Sequence, residues 1–149
     1  MKKNTLTILF FSMTFISPSE GKKDLICHAW KLTAHKPFKK EIKPINEANS
    51  ESLTFNSDGT YDKLLYGALK IKGAWGFTQD STKLLFNIAS LNGANMAASP
   101  LDPLHPTDSL IKLTADTLII GRLSYFGASK GAPMEYQHDD WYYIKQDKQ

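Results

Sequence analysis

The chain has 149 residues, with 18 basic and 15 acidic side chains and a single cysteine. This length suits one domain around one core, and one cysteine excludes an intrachain disulfide. If Lys2 and Lys3 are removed with the N-terminal segment, 16 basic and 15 acidic side chains remain, so charge gives no reason to expect nucleic acid binding.

The N-terminal segment has the features of a secretory signal peptide. Two lysines precede an uncharged apolar run at residues 6–16, and Ser17-Pro18-Ser19 supplies small residues where a signal peptidase cleaves. The run of 11 residues is shorter than the ~20 that cross a bilayer as a helix. We therefore expect residues 1–19 to be removed and residues 20–149 to be secreted or periplasmic, with no transmembrane segment.

Cys27 raises the question of a bacterial lipid anchor. A lipoprotein cleavage site needs an apolar run that leads directly into a small residue and then the cysteine. Four charged residues at 20–24 interrupt the run here, and Ile26 precedes Cys27. We therefore expect Cys27 to be a buried strand cysteine rather than a lipid-anchored one.

Eight segments alternate between apolar and polar residues with the period of a β-strand. The first places Trp30 and Leu32 on one face, together with Ile26 and His28. The segment at 69–78 has the clearest alternation in the chain. The predicted strands are 24–34, 52–56, 60–66, 69–78, 83–89, 109–113, 117–125 and 139–145.

The connections between these segments are mostly short turns. Residues 56–59 (NSDG) and 79–82 (QDST) favour tight hairpins, because Asn, Asp and Gly tolerate positive φ. Two connections are long: residues 35–50, which contain two prolines, and residues 92–107, where prolines recur every third residue. We expect both to be surface loops that shape one end of the fold.

Eight strands in sequence order with short connections predict an all-β fold, an eight-stranded antiparallel up-and-down barrel. Pairing the last strand with the first removes the exposed edges. A barrel of this size is either filled by its own side chains or holds one small ligand. The sequence therefore predicts architecture more directly than activity.

Catalytic and metal-binding patterns are weak. Ser129 lies in a G-x-S-x-G string, but the hydrolase elbow needs a following helix, which Gly131-Ala132-Pro133 prevents. Ser109 and Lys112 fit S-x-x-K, but an offset of three places them on opposite faces of a strand. The four histidines, His28, His35, His105 and His138, have no metal-ligand spacing. We expect no enzyme activity, no metal and no cofactor.

Several strings of residues resemble secreted bacterial lipocalin-like domains of the calycin type. They are AWKL at 29–32, LTFNSDGTY at 53–61, GAWGF at 73–77, KLLF at 83–86 and LTADTL at 113–118. The resemblance implies that Trp30 plugs the closed end of the barrel. It also implies that Arg122 packs across Trp30 through a cation–π contact.

The interior aromatic residues are the candidate ligand site. Aromatic side chains bury large areas, so they form either a solid core or the wall of an apolar cavity with a few polar groups. The expected function is capture of a small hydrophobic ligand. The alternative is a filled barrel that binds an envelope or host protein, and an enzyme at the barrel mouth is a third possibility. The candidate ligand-binding residues are Trp30, Phe55, Tyr61, Trp75, Phe77, Phe86, Arg122, Trp141 and Tyr143.

Overall fold

The computed structural model describes residues 18–96, 107–126 and 135–147. In these ranges it has one α-helix, α1 (Pro18–Ile26), one 3-10 helix (Glu47–Asn49) and ten strands. The strands are β1 (Ala29–Lys36), β2 (Lys43–Pro44), β3 (Glu51–Phe55), β4 (Thr60–Leu65), β5 (Leu69–Phe77), β6 (Lys83–Leu91), β7 (Ala94–Asn95), β8 (Thr107–Leu113), β9 (Thr117–Phe126) and β10 (Glu135–Lys145).

Eight of these strands form a closed antiparallel barrel in the order β1, β3, β4, β5, β6, β8, β9, β10. The last strand returns to the first, with pairs running from Trp30 and Lys145 to Lys36 and Asp140. The two-residue strands β2 and β7 pair with β1 and β6. The predicted eight-stranded antiparallel barrel is therefore confirmed.

The predicted hairpin turns are present. In the turn between β3 and β4, Gly59 has a φ of 87° and the Thr60 amide donates to Asp58 Oδ1 at 2.8 Å. The turn between β5 and β6 repeats this arrangement, with Ser81 at a φ of 54° and the Thr82 amide donating to Asp80 Oδ1 at 3.1 Å. These side-chain bonds satisfy backbone groups in the turns and fix the register of the flanking strands.

The predicted start of the first strand is wrong. Residues up to Ile26 belong to helix α1, and β1 begins at Ala29. Cys27 therefore lies between the two elements and is half-buried, so the expectation of a buried strand cysteine is also wrong. Ile26 is nevertheless fully buried, and its carbonyl accepts a 2.8 Å hydrogen bond from the Trp30 indole. A buried side chain at a helix end produced the same apolar pattern as a strand position, which is why alternation misplaced the boundary.

The core lies inside the barrel and is densely aromatic. The Phe55 and Trp75 rings are 4.9 Å apart, and the Tyr61 and Phe86 rings are 5.1 Å apart, both edge to face. The buried apolar side chains are Ile26, Trp30, Leu32, Leu53, Phe55, Tyr61, Trp75, Leu84, Leu118, Ile120 and Tyr143. Burial on this scale provides the main stabilisation of the fold.

Gly73 lies on β5 beside β6, at a bulge after Lys72. A Cβ atom at this position would lie 1.9 Å from the Asn87 carbonyl oxygen and 2.8 Å from Tyr61 Cε1. Only glycine leaves room for both the neighbouring backbone and the tyrosine ring.

Several sequence predictions concern residues outside the described ranges. They are the apolar run of the signal peptide, most of the Pro-rich loop, the Ser129 string and His105. The first long loop is described, and it contains β2 and the 3-10 helix. Among the described residues, no helix combines the length and apolarity needed to cross a bilayer.

Candidate functional site

The two ends of the barrel differ. At one, the capped end, α1 lies against the turn after β5, where the Lys22 ammonium donates to the Ser81 carbonyl at 2.8 Å. At the opposite end, which we call the mouth, lie the loops that follow β1 and β4. These two strands run in the same direction, since each is antiparallel to β3.

A group of polar side chains lies between the aromatic core and the mouth, and all of them are buried except Lys63 and Arg122, which are half-buried. We call it the buried charge cluster: Glu51, Lys63, Asp108, Arg122 and Tyr143. Arg122 Nη2 and Nη1 donate to the two Glu51 carboxylate oxygens at 3.1 and 3.2 Å, and its Nε donates to Asp108 Oδ2 at 2.8 Å. Lys63 Nζ and the Tyr143 hydroxyl reach Glu51 Oε1 at 3.1 and 2.5 Å.

Strand alternation places these charges inside the barrel. Glu51 shares a face of β3 with Leu53 and Phe55, which are buried, so its carboxylate also points inward. Arg122 follows the buried Leu118 and Ile120 of β9 in the same way. Each charge therefore lies at the mouth side of an apolar inward row.

Pairing with the two cations offsets the effect of burial on the Glu51 carboxylate. Burial by itself would raise the pKa of Glu51, but Arg122 and Lys63 outweigh it and hold this pKa at about 2. Burial lowers the pKa of Lys63, and the nearby Arg122 lowers it further. Burial raises the pKa of the Tyr143 phenol well above its ordinary value, so this group stays a hydrogen-bond donor.

A second polar group lies beside the first, where Asp139 pairs with Arg122 in the β9–β10 ladder. His35 Nε2 is 3.2 Å from Asp139 Oδ2, and Asp139 Oδ1 accepts from the Phe38 amide at 2.9 Å. The Trp141 ring lies 4.4 Å from the His35 ring and 5.1 Å from the Arg122 guanidinium. The Trp141 indole nitrogen is buried and has no hydrogen-bond partner among the described residues.

The nine predicted ligand-binding residues all face the barrel interior or pack against its core. Phe77, Phe86 and Trp141 are partly buried and pack on the core, and Arg122 belongs to the buried charge cluster. The remaining five, Trp30, Phe55, Tyr61, Trp75 and Tyr143, are buried core residues. Their assignment to a ligand stays a prediction.

The expected partner of Arg122 requires correction. Its guanidinium lies over the rings of Trp141 and Tyr143, at 5.1 and 6.0 Å, instead of over Trp30. The Trp30 indole nitrogen donates to the Ile26 carbonyl at the end of α1. The guanidinium is bound by the carboxylates of Glu51 and Asp108 at the mouth side of the core, so it lies away from the capped end.

Sequence reasoning missed the carboxylates and the lysine of the cluster. The available signal was a charge that continues an inward-facing row: Glu51 before Leu53, Lys63 after Tyr61, and Asp108 before Leu110. A buried charge needs a charged partner, so three such positions on different strands indicate an internal network. Among the described residues, no group of three or more His, Cys, Asp or Glu side chains could hold a metal ion.

An open groove lies on the outer surface at the capped end, away from the charge cluster. Cys27, His28 and Thr54 line one part of it, and Ile144 and Asp147 line another. Only Phe55 of the candidate ligand-binding residues borders it. The groove is wide and largely solvent-exposed, so it lacks the enclosure of a small-molecule site.

The fold defines the chain as an all-β protein with a closed eight-stranded antiparallel barrel. Among solved structures, it is similar to a DUF4847 family protein from Bacteroides vulgatus ATCC 8482, with 12% identity and a TM-score of 0.50 over 85% of this chain and 99% of the other. A protein from Burkholderia xenovorans aligns with 14% identity and a TM-score of 0.44 over 99% of this chain and 100% of the other.

The similarity to the Bacteroides vulgatus protein extends to the fold alone. No protein-family model matches the chain. No curated protein matches it either.

Proposed function

We propose that the protein binds a small amphipathic molecule non-covalently at the mouth of its barrel and acts by binding rather than by chemistry. The observation that carries the proposal is the buried Trp141 indole N–H, which lacks a partner among the described residues. An unmade hydrogen bond at a buried donor costs about 1–3 kcal/mol, and a ligand with an acceptor group would recover it.

The mouth end of the barrel offers apolar side chains to such a molecule. Ile45 and Ile71 are half-buried, pack against the core and belong to the same end of the barrel. Tyr61, Tyr143 and Arg122 were the polar groups expected to orient a ligand, but Arg122 and Tyr143 already donate to the carboxylates of the buried charge cluster. The Trp141 indole is therefore the group that would select a ligand with a carboxylate or carbonyl oxygen.

Native mass spectrometry of the protein purified from its own host tests the proposal directly. A mass excess that disappears on denaturation would identify a bound molecule. Titration with dodecanoate by calorimetry then tests the site: Trp141→Phe should weaken binding roughly tenfold, because it removes one hydrogen bond. Trp75→Phe is the matched control, since the Trp75 indole already donates to the Asn56 carbonyl at the capped end.

Bare native mass, together with no heat on addition of fatty acids or porphyrins, would refute ligand capture. The alternative function, recognition of an envelope or host protein by a filled barrel, would then be favoured. The dense aromatic packing at the capped end supports that alternative. The rings of Phe55 and Phe77 both contact the Trp75 ring there, as expected for a barrel filled by its own side chains.

We also propose that the protein acts outside the cytoplasm. The charged start, apolar run and small residues before position 20 support export. Cleavage after Ser19 would remove only the first two residues of α1 and would keep the Lys22 contact with Ser81. N-terminal sequencing of the protein from a periplasmic fraction or culture supernatant would test this, and an uncleaved Met1 in the cytoplasm would refute it.

A further inference from the structure

The loop between β1 and β2 combines positive charge with exposed apolar side chains. Residues 36–43, here called the basic loop, read KPFKKEIK and contain four lysines and one glutamate. Lys39, Lys40 and Lys43 are exposed. Phe38 and Ile42 are 46% and 55% exposed, which is unusual for large apolar side chains held so close together.

Hydrogen bonds and strand pairing tie the basic loop to the barrel. The Phe38 amide donates to the buried Asp139 carboxylate at 2.9 Å, and the Lys40 amide donates to the Pro37 carbonyl at 3.0 Å. Lys39 has a φ of 56°, which turns the chain back, and Pro44 pairs with Ala34 of β1. The exposure of the two apolar side chains is therefore built into the fold and does not result from a frayed segment.

A neighbouring loop adds a third large exposed side chain at the mouth. Tyr66 follows β4, is 62% exposed and has a φ of 54°, and its amide donates to the Ser50 carbonyl at 2.8 Å. Tyrosine favours the boundary between water and a bilayer, because its ring is apolar and its hydroxyl is polar. The mouth thus presents Phe38, Ile42 and Tyr66 beside three exposed lysines.

We propose that the mouth of the barrel docks on an anionic phospholipid surface through the basic loop. Lysines attract acidic headgroups, while phenylalanine and isoleucine insert into the headgroup and acyl boundary. The Lys39 ammonium lies 5.0 Å from the centre of the Phe38 ring, so charge and anchor meet the surface together. A dry protein interface would exclude charge from its centre, whereas here lysines separate the two anchors.

Vesicle co-sedimentation tests the proposal, and no barrel ligand is needed. The protein should bind vesicles of phosphatidylglycerol and phosphatidylcholine at least tenfold more tightly than vesicles of phosphatidylcholine alone, with weaker binding in 0.5 M salt. K39E/K40E should lose at least tenfold in affinity. F38S/I42S should lose a similar factor with all charges intact, which a purely ionic contact would not predict.

A matched control lies on the wall of the barrel. Ile111 on β8 is 52% exposed, and Lys112 beside it is exposed, so I111S/K112E makes comparable changes away from the mouth. This variant should bind the anionic vesicles as the unchanged protein does. Circular dichroism and thermal melting of every variant would verify that the barrel is folded.

Three outcomes would overturn the proposal. They are equal binding to both kinds of vesicle, full binding by F38S/I42S, and no vesicle binding by the folded protein. If the protein ignores vesicles but binds poly-L-glutamate, and K39E/K40E abolishes that binding, the basic loop recognises an acidic polypeptide instead of a membrane.

Discussion

Replacement of Glu51 by glutamine should destabilise the barrel strongly. The pKa of Glu51 falls from 4.5 to about 2 in the folded protein, because Arg122 and Lys63 outweigh the opposing effect of burial. That shift corresponds to about 3 kcal/mol of folding stability at neutral pH. Glu51→Gln leaves the guanidinium and the ammonium buried with too little negative charge, so we expect a loss of about 3 kcal/mol and a Tm about 10 °C lower.

The pH dependence of this loss has a definite direction. The folded-state pKa of Glu51 is depressed, so its contribution is fully present above the unfolded value of 4.5 and declines as the pH falls towards about 2. Urea unfolding of both proteins between pH 2 and pH 8 should therefore give a free-energy difference that is constant above about pH 5 and shrinks below it.

Two further variants separate charge pairing from general damage. Glu47 is exposed on the 3-10 helix, and Glu47→Gln should change stability by less than about 0.5 kcal/mol. The double variant E51Q/K63M removes one charge of each sign, so it should recover at least half of the loss. A Glu51→Gln loss below about 1 kcal/mol, or one independent of pH, would refute the assigned role of this carboxylate.

Three other changes give separate tests. Gly73→Ala should lower the free energy of unfolding in urea by about 3 kcal/mol, since the added Cβ would meet the backbone of β6. Gly76→Ala on the same strand should be nearly neutral, and equal effects of the two changes would contradict the close contact at Gly73. Trp30→Phe removes the hydrogen bond from the indole to the Ile26 carbonyl of α1, so it should lower stability by about 2–4 kcal/mol and reduce the helical circular dichroism signal. An unchanged spectrum would show that this bond does not hold the helix. Burial raises the pKa of the Cys27 thiol, so iodoacetamide at pH 8 should alkylate the folded protein more slowly than the protein in guanidinium; equal rates by mass spectrometry would contradict this.

Most of the barrel could be predicted from the sequence because its strands alternate cleanly and its turns are local. Residues 69–77 illustrate this, since one face carries Trp75 and Phe77 and the other, with Lys70 and Lys72, is mostly exposed. The boundary of the first strand failed for a different reason. Ile26 is buried at the end of a helix. Alternation of apolar residues indicates which side chains are buried, but it does not show whether the backbone there is a helix or a strand.

The charged part of the candidate site was much harder to predict. Alternation could place Glu51 and Arg122 inside the barrel, but their pairing joins residues 71 positions apart in the chain. Only the closed register brings them together. The expected resemblance to lipocalin-like domains placed Arg122 in the interior but paired it with Trp30 instead of Trp141 and Tyr143. The partner depends on where along the barrel axis the carboxylates hold the guanidinium, and the sequence does not specify that position.

The ladder between β1 and β10 has a consequence for the order of folding. It joins residues as distant as Trp30 and Lys145, while hairpins such as β3–β4 join near neighbours. Closure therefore carries the largest loop entropy and is expected last. Until closure, β1 and β10 each have one edge without a partner strand. A second chain that supplies its own β10 to this β1 would complete the barrel as a domain-swapped dimer.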